Sequence, residues 1–105
     1  MAITRTDVVY SGTLTASEVT VLTVAASTTF IIKGIWISNS DSANRTADLR
    51  IDDKRFVPTC VVPASDTLVM DNLHIPVLAG KTIKVKGSVA TYLDYYIWGV
   101  QEVTA

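Results

Sequence analysis

Thr28-Thr29-Phe30-Ile31-Ile32-Lys33-Gly34-Ile35-Trp36-Ile37-Ser38 is the longest apolar segment of the chain. Branched and aromatic side chains fill it, and these fit a pleated sheet better than a helix because χ1 is restricted. A period of two sets Phe30, Ile32, Gly34 and Trp36 on one face and Ile31, Lys33, Ile35 and Ile37 on the other. A strand apolar on both faces belongs in the middle of its sheet or beneath a second layer. The segment therefore predicts a layered β protein.

Working outward, Asn39 to Asn44 is a polar cluster suited to an exposed loop. Ala47, Leu49 and Ile51 alternate with Asp48 and Arg50, and Asp52-Asp53-Lys54 closes a hairpin into Arg55–Val62. Pro58 removes a donor from that strand and predicts an edge or a bulge. Pro63 to Asp66 reads as a turn, Thr67–Leu73 as a strand, and Pro76 as a boundary in a short piece. Ala79-Gly80-Lys81 turns into Thr82–Gly87, with Ile83 and Val85 inward and Lys84 and Lys86 outward. In the last strand, Leu93 to Val103, Leu93, Tyr95, Ile97 and Gly99 oppose Tyr96, Trp98 and Val100. Upstream, Val19–Val24 is a β-branched run, and Val8, Tyr10, Gly12 and Leu14 alternate with Val9, Ser11 and Thr13. Met1 to Arg5 and Thr104-Ala105 read as loose ends, the former as an N-terminal arm.

Short strands spaced 8–12 residues apart, no helical period and no repeat predict one all-β domain over 1–105. The expected fold is an antiparallel two-sheet β-sandwich of about eight strands, with jelly-roll connections as one form of it.

Composition narrows function. Nine basic and ten acidic residues give a net charge of −1 with neither sign gathered, which argues against nucleic-acid partners. Cys60 stands alone, so an internal disulfide is impossible and a small buried thiol is its natural role. The N-terminus lacks a signal-type apolar run and nothing approaches the ~20 apolar residues of a membrane helix. A protein made in a cytoplasm, without a membrane partner, is expected.

Reactive groups are sparse. His74, the one histidine, stands between Leu73 and Ile75 with no second group at a telling spacing, so no enzyme is expected. His74 and Cys60 lack zinc-site spacing, and Asp48, Asp52 and Asp53 lack the glycine and distal glutamate of a calcium loop. No metal or other cofactor is implied. Asp71 and Asp94 could be set up as a glycosidase pair only arbitrarily, Asn44-Arg45-Thr46 is a chance acceptor sequence, and the glycines are too scattered for a phosphate loop. Trp36, Tyr92, Tyr95, Tyr96 and Trp98 could form a sugar-stacking platform, though core packing accounts equally for Trp36 and some of the tyrosines. Trp98, out of phase with Ile97, is the residue expected to cap a second face where a neighbour packs. With Tyr96 and Pro58 it makes up the candidate interface.

Pro76-Val77-Leu78-Ala79-Gly80-Lys81-Thr82-Ile83, followed by Tyr95-Tyr96-Ile97-Trp98-Gly99-Val100, resembles small β-sandwich virion proteins of tailed bacteriophages. In those, an Ala-Gly turn, an acidic residue and Thr-Ile precede a strand, and an Ile-x-Gly-Val strand closes the domain. Lys81 stands here in place of the acid. The likeness covers roughly the last thirty residues, and the first seventy only in character. It implies assembly: a capsid decoration or cement protein, a homotrimer on the major capsid protein lattice at the virion surface. Tail or head–tail accessories and fibre-attached modules are the other roles such proteins take.

Overall fold

The computed structural model of the 105-residue chain describes residues 3–52, 54–88 and 92–104, with backbone alone at 55–59. Among the described residues there is no helix, and nine strands follow in order: β1 (Ile3–Thr13), β2 (Val19–Thr23), β3 (Thr28–Asn39), β4 (Arg45–Ile51), β5 (Lys54–Val62), β6 (Thr67–Met70), β7 (Ile75–Val77), β8 (Thr82–Gly87) and β9 (Leu93–Thr104). Every pairing is antiparallel. Sheet A runs β1-β9-β3-β6, with β7 also on β3, and sheet B runs β2-β8-β4-β5. The pairs are nested, β1 with β9, β2 with β8, β3 with β6 and β7, β4 with β5, as in one long hairpin rolled onto itself. With β6 and β7 counted as one interrupted strand, this is the eight-stranded jelly roll among the expected forms.

Between the sheets lie Phe30, Ile32, Ile35 and Ile37 of β3, Leu49 of β4, Val62 of β5, Ile83 and Val85 of β8, and Leu93 and Ile97 of β9, each at most 1% exposed. Sheet B follows its sequence pattern: Ala47 and Leu49, Ile83 and Val85 face inward, leaving Asp48, Arg50, Lys84 and Lys86 on the other face.

Strand β3 departs from the simple alternation. Ile32 opposes Gly99, yet Gly34 already opposes Trp98, so Lys33 is an extra residue with no counterpart on β9. This bulge reverses the side-chain phase. Phe30 and Ile32 before it and Ile35 and Ile37 after it therefore all enter the core, while Ile31, Gly34 and Trp36 face outward. The expected grouping of Phe30 and Ile32 with Trp36 is corrected accordingly. The same bulge moves Trp36 out of the core, to 43% exposure.

The Pro58 expectation holds in the backbone. β5 is the edge of sheet B, and between Ala47↔Cys60 and Leu49↔Val57 it places three steps against two. At the N-terminus the strand starts five residues before its apolar alternation, with Ile3, Thr4 and Arg5 opposite Thr104, Val103 and Glu102. Residues 3–5 of the expected arm are thus sheet, and Met1 and Ala2 lie outside the described residues. The alternation fades because the core does not reach this end: Ile3 to Asp7 are all exposed.

Two polar anchors hold the turns. Asn39, 3% exposed, donates through Nδ2 to the carbonyls of Ala43 (2.9 Å) and Val62 (3.0 Å), and its Oδ1 accepts from the Asp41 amide at 2.9 Å. It ties the end of β3 to the loop after it and to the end of β5. Asp52 sits at φ +54° and accepts from the Thr82 amide (2.9 Å) and hydroxyl (3.1 Å) through Oδ1. Gly80, at φ +84°, makes the preceding turn, where a side chain would be strained.

Candidate functional site

The bulge at Lys33 and the adjacent strand β9 together build the most distinctive surface of the molecule. Trp36 and Tyr96 are directly opposite on β3 and β9, and their rings stack at 5.3 Å between centroids with an interplanar angle of 22°. Trp98 meets Trp36 edge-on at 5.1 Å and 67°, and lies 6.2 Å from Tyr96. The Trp98 indole lies across Gly34, where a Cβ would occupy the ring's own position. Glycine is thus required there for packing, not for backbone freedom.

Neighbours extend the patch across the sheet. Val9 of β1 is opposite Trp98 and 48% exposed; Val69 of β6 is opposite Trp36 and 51% exposed. The outer face of sheet A is therefore apolar and aromatic over four strands. Such contiguous exposed patches mark association sites, and Trp and Tyr are the residue types that dominate them.

Sheet B presents the opposite surface. Glu18 faces Arg50 (3.5 Å) and Lys84 (3.7 Å), and Asp48 lies 3.6 Å from Arg50. Glu18 is exposed, Arg50 and Lys84 are partly exposed and Asp48 is covered at 8%, so this face is charged where sheet A is aromatic.

Two hollows flank the aromatic cluster. One, about 500 Å³, has Trp36 and Tyr96 as its aromatic wall and Ser11, Thr13, Ser38, Thr67 and Asp94 as polar lining. The other, about 490 Å³, lies between Asp7 and Val9 on one side and Lys33, Trp36 and Trp98 on the other.

The structure brings together three of the five aromatics singled out in the sequence. Tyr95 points the other way, packing against the core with its hydroxyl end over Gly12, and burial raises its pKa. Tyr92, just before the start of β9, lies 5.8 Å from the Arg45 guanidinium. Trp98 and Tyr96 of the candidate interface are adjacent on the outer face. Pro58 is in the other sheet, and its side chain lies outside the described residues. Val9 and Val69 were not singled out, because single valines on separate strands become a patch only once the strand order is known.

The other candidates have local roles. His74 is exposed, with Nδ1 3.1 Å from the Lys33 Nζ. Asp94 accepts from the Thr13 hydroxyl at 2.8 Å, and Asp71 follows β6 and does not line the hollow that Asp94 shares. Asp52 is pulled below the usual carboxylate range by the Thr82 amide and by Lys81, whose Nζ lies 3.2 Å away. Lys81, the residue that departs from the phage-protein pattern, therefore has a structural partner. Asp53 lies outside the described residues, among which no three His, Cys, Asp or Glu side chains converge on a metal-sized site. Burial pushes the Cys60 thiol up, and its S–H donates to the Ala47 carbonyl at 3.3 Å.

No protein-family model matches the chain, and no curated protein matches it. Among solved structures it is similar to the Drosophila NLP core, whose structure gives insight into pentamer formation and histone binding. That likeness has a TM-score of 0.55 at 21% identity and covers 89% of this chain and 96% of the other. A Bacillus endospore appendage chain, from a family of disulfide-linked pili, gives 0.49 at 13% identity over 98% and 89%. A chain of infectious bursal disease virus gives 0.35 at 14% identity over 97% and 32%. The first of these shows a shared β fold.

Proposed function

We propose that this chain is a non-enzymatic structural protein of a tailed-phage virion, decorating the head by seating the outer face of sheet A on the major capsid protein lattice. The observation that supports this most is the asymmetry of the two faces: three clustered rings and flanking valines on sheet A, interleaved charges on sheet B. A docking protein needs one face to bury and one to leave in water. The C-terminal resemblance supplies the phage context and the capsid-surface location. Binding the assembled shell in preference to free subunits would stabilise the shell by mass action.

Co-sedimentation with undecorated mature heads tests the proposal. Wild-type protein is expected to bind heads and not unassembled capsid subunits, and Trp36→Ala, still folded by circular dichroism at the assay temperature, to bind at least tenfold more weakly. Absence from the head fraction would refute it. A tail or head–tail role predicts a few copies per particle where decoration predicts many.

The hollow beside Asp94 favours a second reading, a carbohydrate-binding module. A stacked Trp36–Tyr96 wall bordered by hydroxyls and a carboxylate suits a sugar ring. A glycan array separates the two, since signal lost in Trp36→Ala would favour sugar and a blank array would remove it.

A further inference from the structure

Strand β1 is an edge of sheet A, pairing with β9 over eleven consecutive residues without a register break. The other described edges are short or irregular: β2 carries a bulge, β5 shifts register twice against β4, and β6 and β7 span four and three residues. Long, regular edges invite another strand. We infer that β1 pairs antiparallel with β1 of a second copy across a twofold axis at Thr6.

Hydrogen-bond phase comes first. The Leu14 amide donates to the Leu93 carbonyl on β9 at 2.7 Å, and alternation along the strand then points the even-numbered residues of β1 at β9. The odd-numbered amides and carbonyls, from residue 3 to residue 13, face the open edge. A twofold axis at Thr6 joins odd residues to odd residues, so the free groups of the two edges meet.

Side-chain chemistry then selects this register. With the axis at Thr6, Arg5 opposes the second copy's Asp7, Asp7 opposes its Arg5, and Ile3 opposes its Val9. An axis at Asp7 would set two aspartates face to face, and one at Arg5 two arginines. Opposite-charge and apolar cross-strand pairs stabilise an antiparallel ladder, and like charges oppose it. Within its own chain Arg5 reaches Glu102 at 2.6 Å, whereas Asp7 lies opposite Val100 and has no cationic partner among the described residues. Ile3 and Val9, 56% and 48% exposed, are the large apolar residues exposed on this strand. The second copy supplies what each lacks.

The axis stands perpendicular to the sheet, so both aromatic faces emerge on the same side of one continuous sheet. The pairing goes beyond the docking role and would give it two adjacent contact sites, which raises avidity.

Sedimentation equilibrium of the intact chain, up to about 200 µM because edge contacts fall in the small, weak class, tests the proposal. Wild-type protein is expected to form dimers. Asp7→Arg and the doubly substituted Arg5→Asp/Glu102→Arg should each be folded by circular dichroism and associate at least tenfold more weakly. Mixed, they should recombine as a heterodimer, since each then meets opposite charges. In a Cys60→Ser background, Thr6→Cys should cross-link on mild oxidation, its Cα ~4.5 Å from its mate, whereas Val8→Cys, ~14 Å from its mate, should not. A wild-type monomer, a trimer with no dimer, no recombination on mixing, or equal cross-linking at the two positions would each overturn the proposal. Trp36→Ala leaves β1 intact, so loss of head binding with dimers retained would count against the docking role alone.

Discussion

Replacing Gly34 by alanine tests the architecture of the aromatic face at its seat. The new methyl group would coincide with the six-membered ring of the Trp98 indole, and a side chain that is only half-buried can move away. The cost is then the lost packing of Trp98 over β3 and its edge contact with Trp36 at 5.1 Å. Edge-on aromatic contacts contribute about 0.5–1.5 kcal/mol, and overpacking with side-chain displacement costs about 1–3 kcal/mol in total. At this chain length that corresponds to a fall in Tm of roughly 4–12 °C. The informative assay is a double-mutant cycle by urea denaturation. In a Trp98→Ala background the obstacle is gone, and Gly34→Ala should stabilise by about 0.5 kcal/mol, because glycine inside a strand is itself unfavourable. The sign of the substitution should thus reverse. Equal costs in both backgrounds would refute the placement of Trp98 over Gly34, as would an unaltered tryptophan emission spectrum in the single variant.

Two further outcomes follow from the polar anchors. Asn39→Ala should destabilise by about 1–3 kcal/mol in urea titration, because the Val62 carbonyl and the Asp41 amide lose a partner at a buried position. Asp41, held low by its hydrogen bond from Arg45, and Asp52, held low by the Thr82 amide, have folded pKa values below the ordinary 3.8. Their contribution is present above about pH 4 and lost as pH falls through the folded values, so Asp52→Asn should give a shallower loss of urea midpoint below pH 4 than wild type.

Where burial acts on one side of a strand, the sequence was a sufficient guide. β4 and β8 alternate as read because their inner residues meet a core while Arg50, Lys84 and Lys86 reach solvent and Asp48, 8% exposed, is covered beside Arg50. Strand β3 shows the limit. Its apolar residues flank Lys33 on both sides, and a period of two carries no mark of an inserted residue, so Trp36 was grouped with the core residues Phe30 and Ile32. Likewise Tyr95 and Tyr96 cannot be sorted into inner and outer without knowing which face of β9 meets sheet B. The start of β1 was missed for a different reason. Thr4 and Thr6 are held by the ladder to β9, where no buried side chain could announce them. Aromatic residues on both phases of β9 exceed what a single core can absorb, and the structure sets Trp98 and Tyr96 on the outer face.

The unmatched residue at position 33 gives β3 the behaviour of a gearing mechanism with one tooth added. Deleting Lys33 would remove the extra tooth and let Gly34 follow Ile32 in regular alternation, with Ile35 and Ile37 still inside and Trp36 still outside. Keeping Lys33 but pairing it in register would instead exchange inside and outside from Gly34 onward, sending the indole of Trp36 inward and Ile35 and Ile37 out to solvent. Loss of the unmatched residue should therefore be absorbed, whereas a strand that paired all 12 of its residues in step with β9 would invert the protein's dry and wet sides at a stroke.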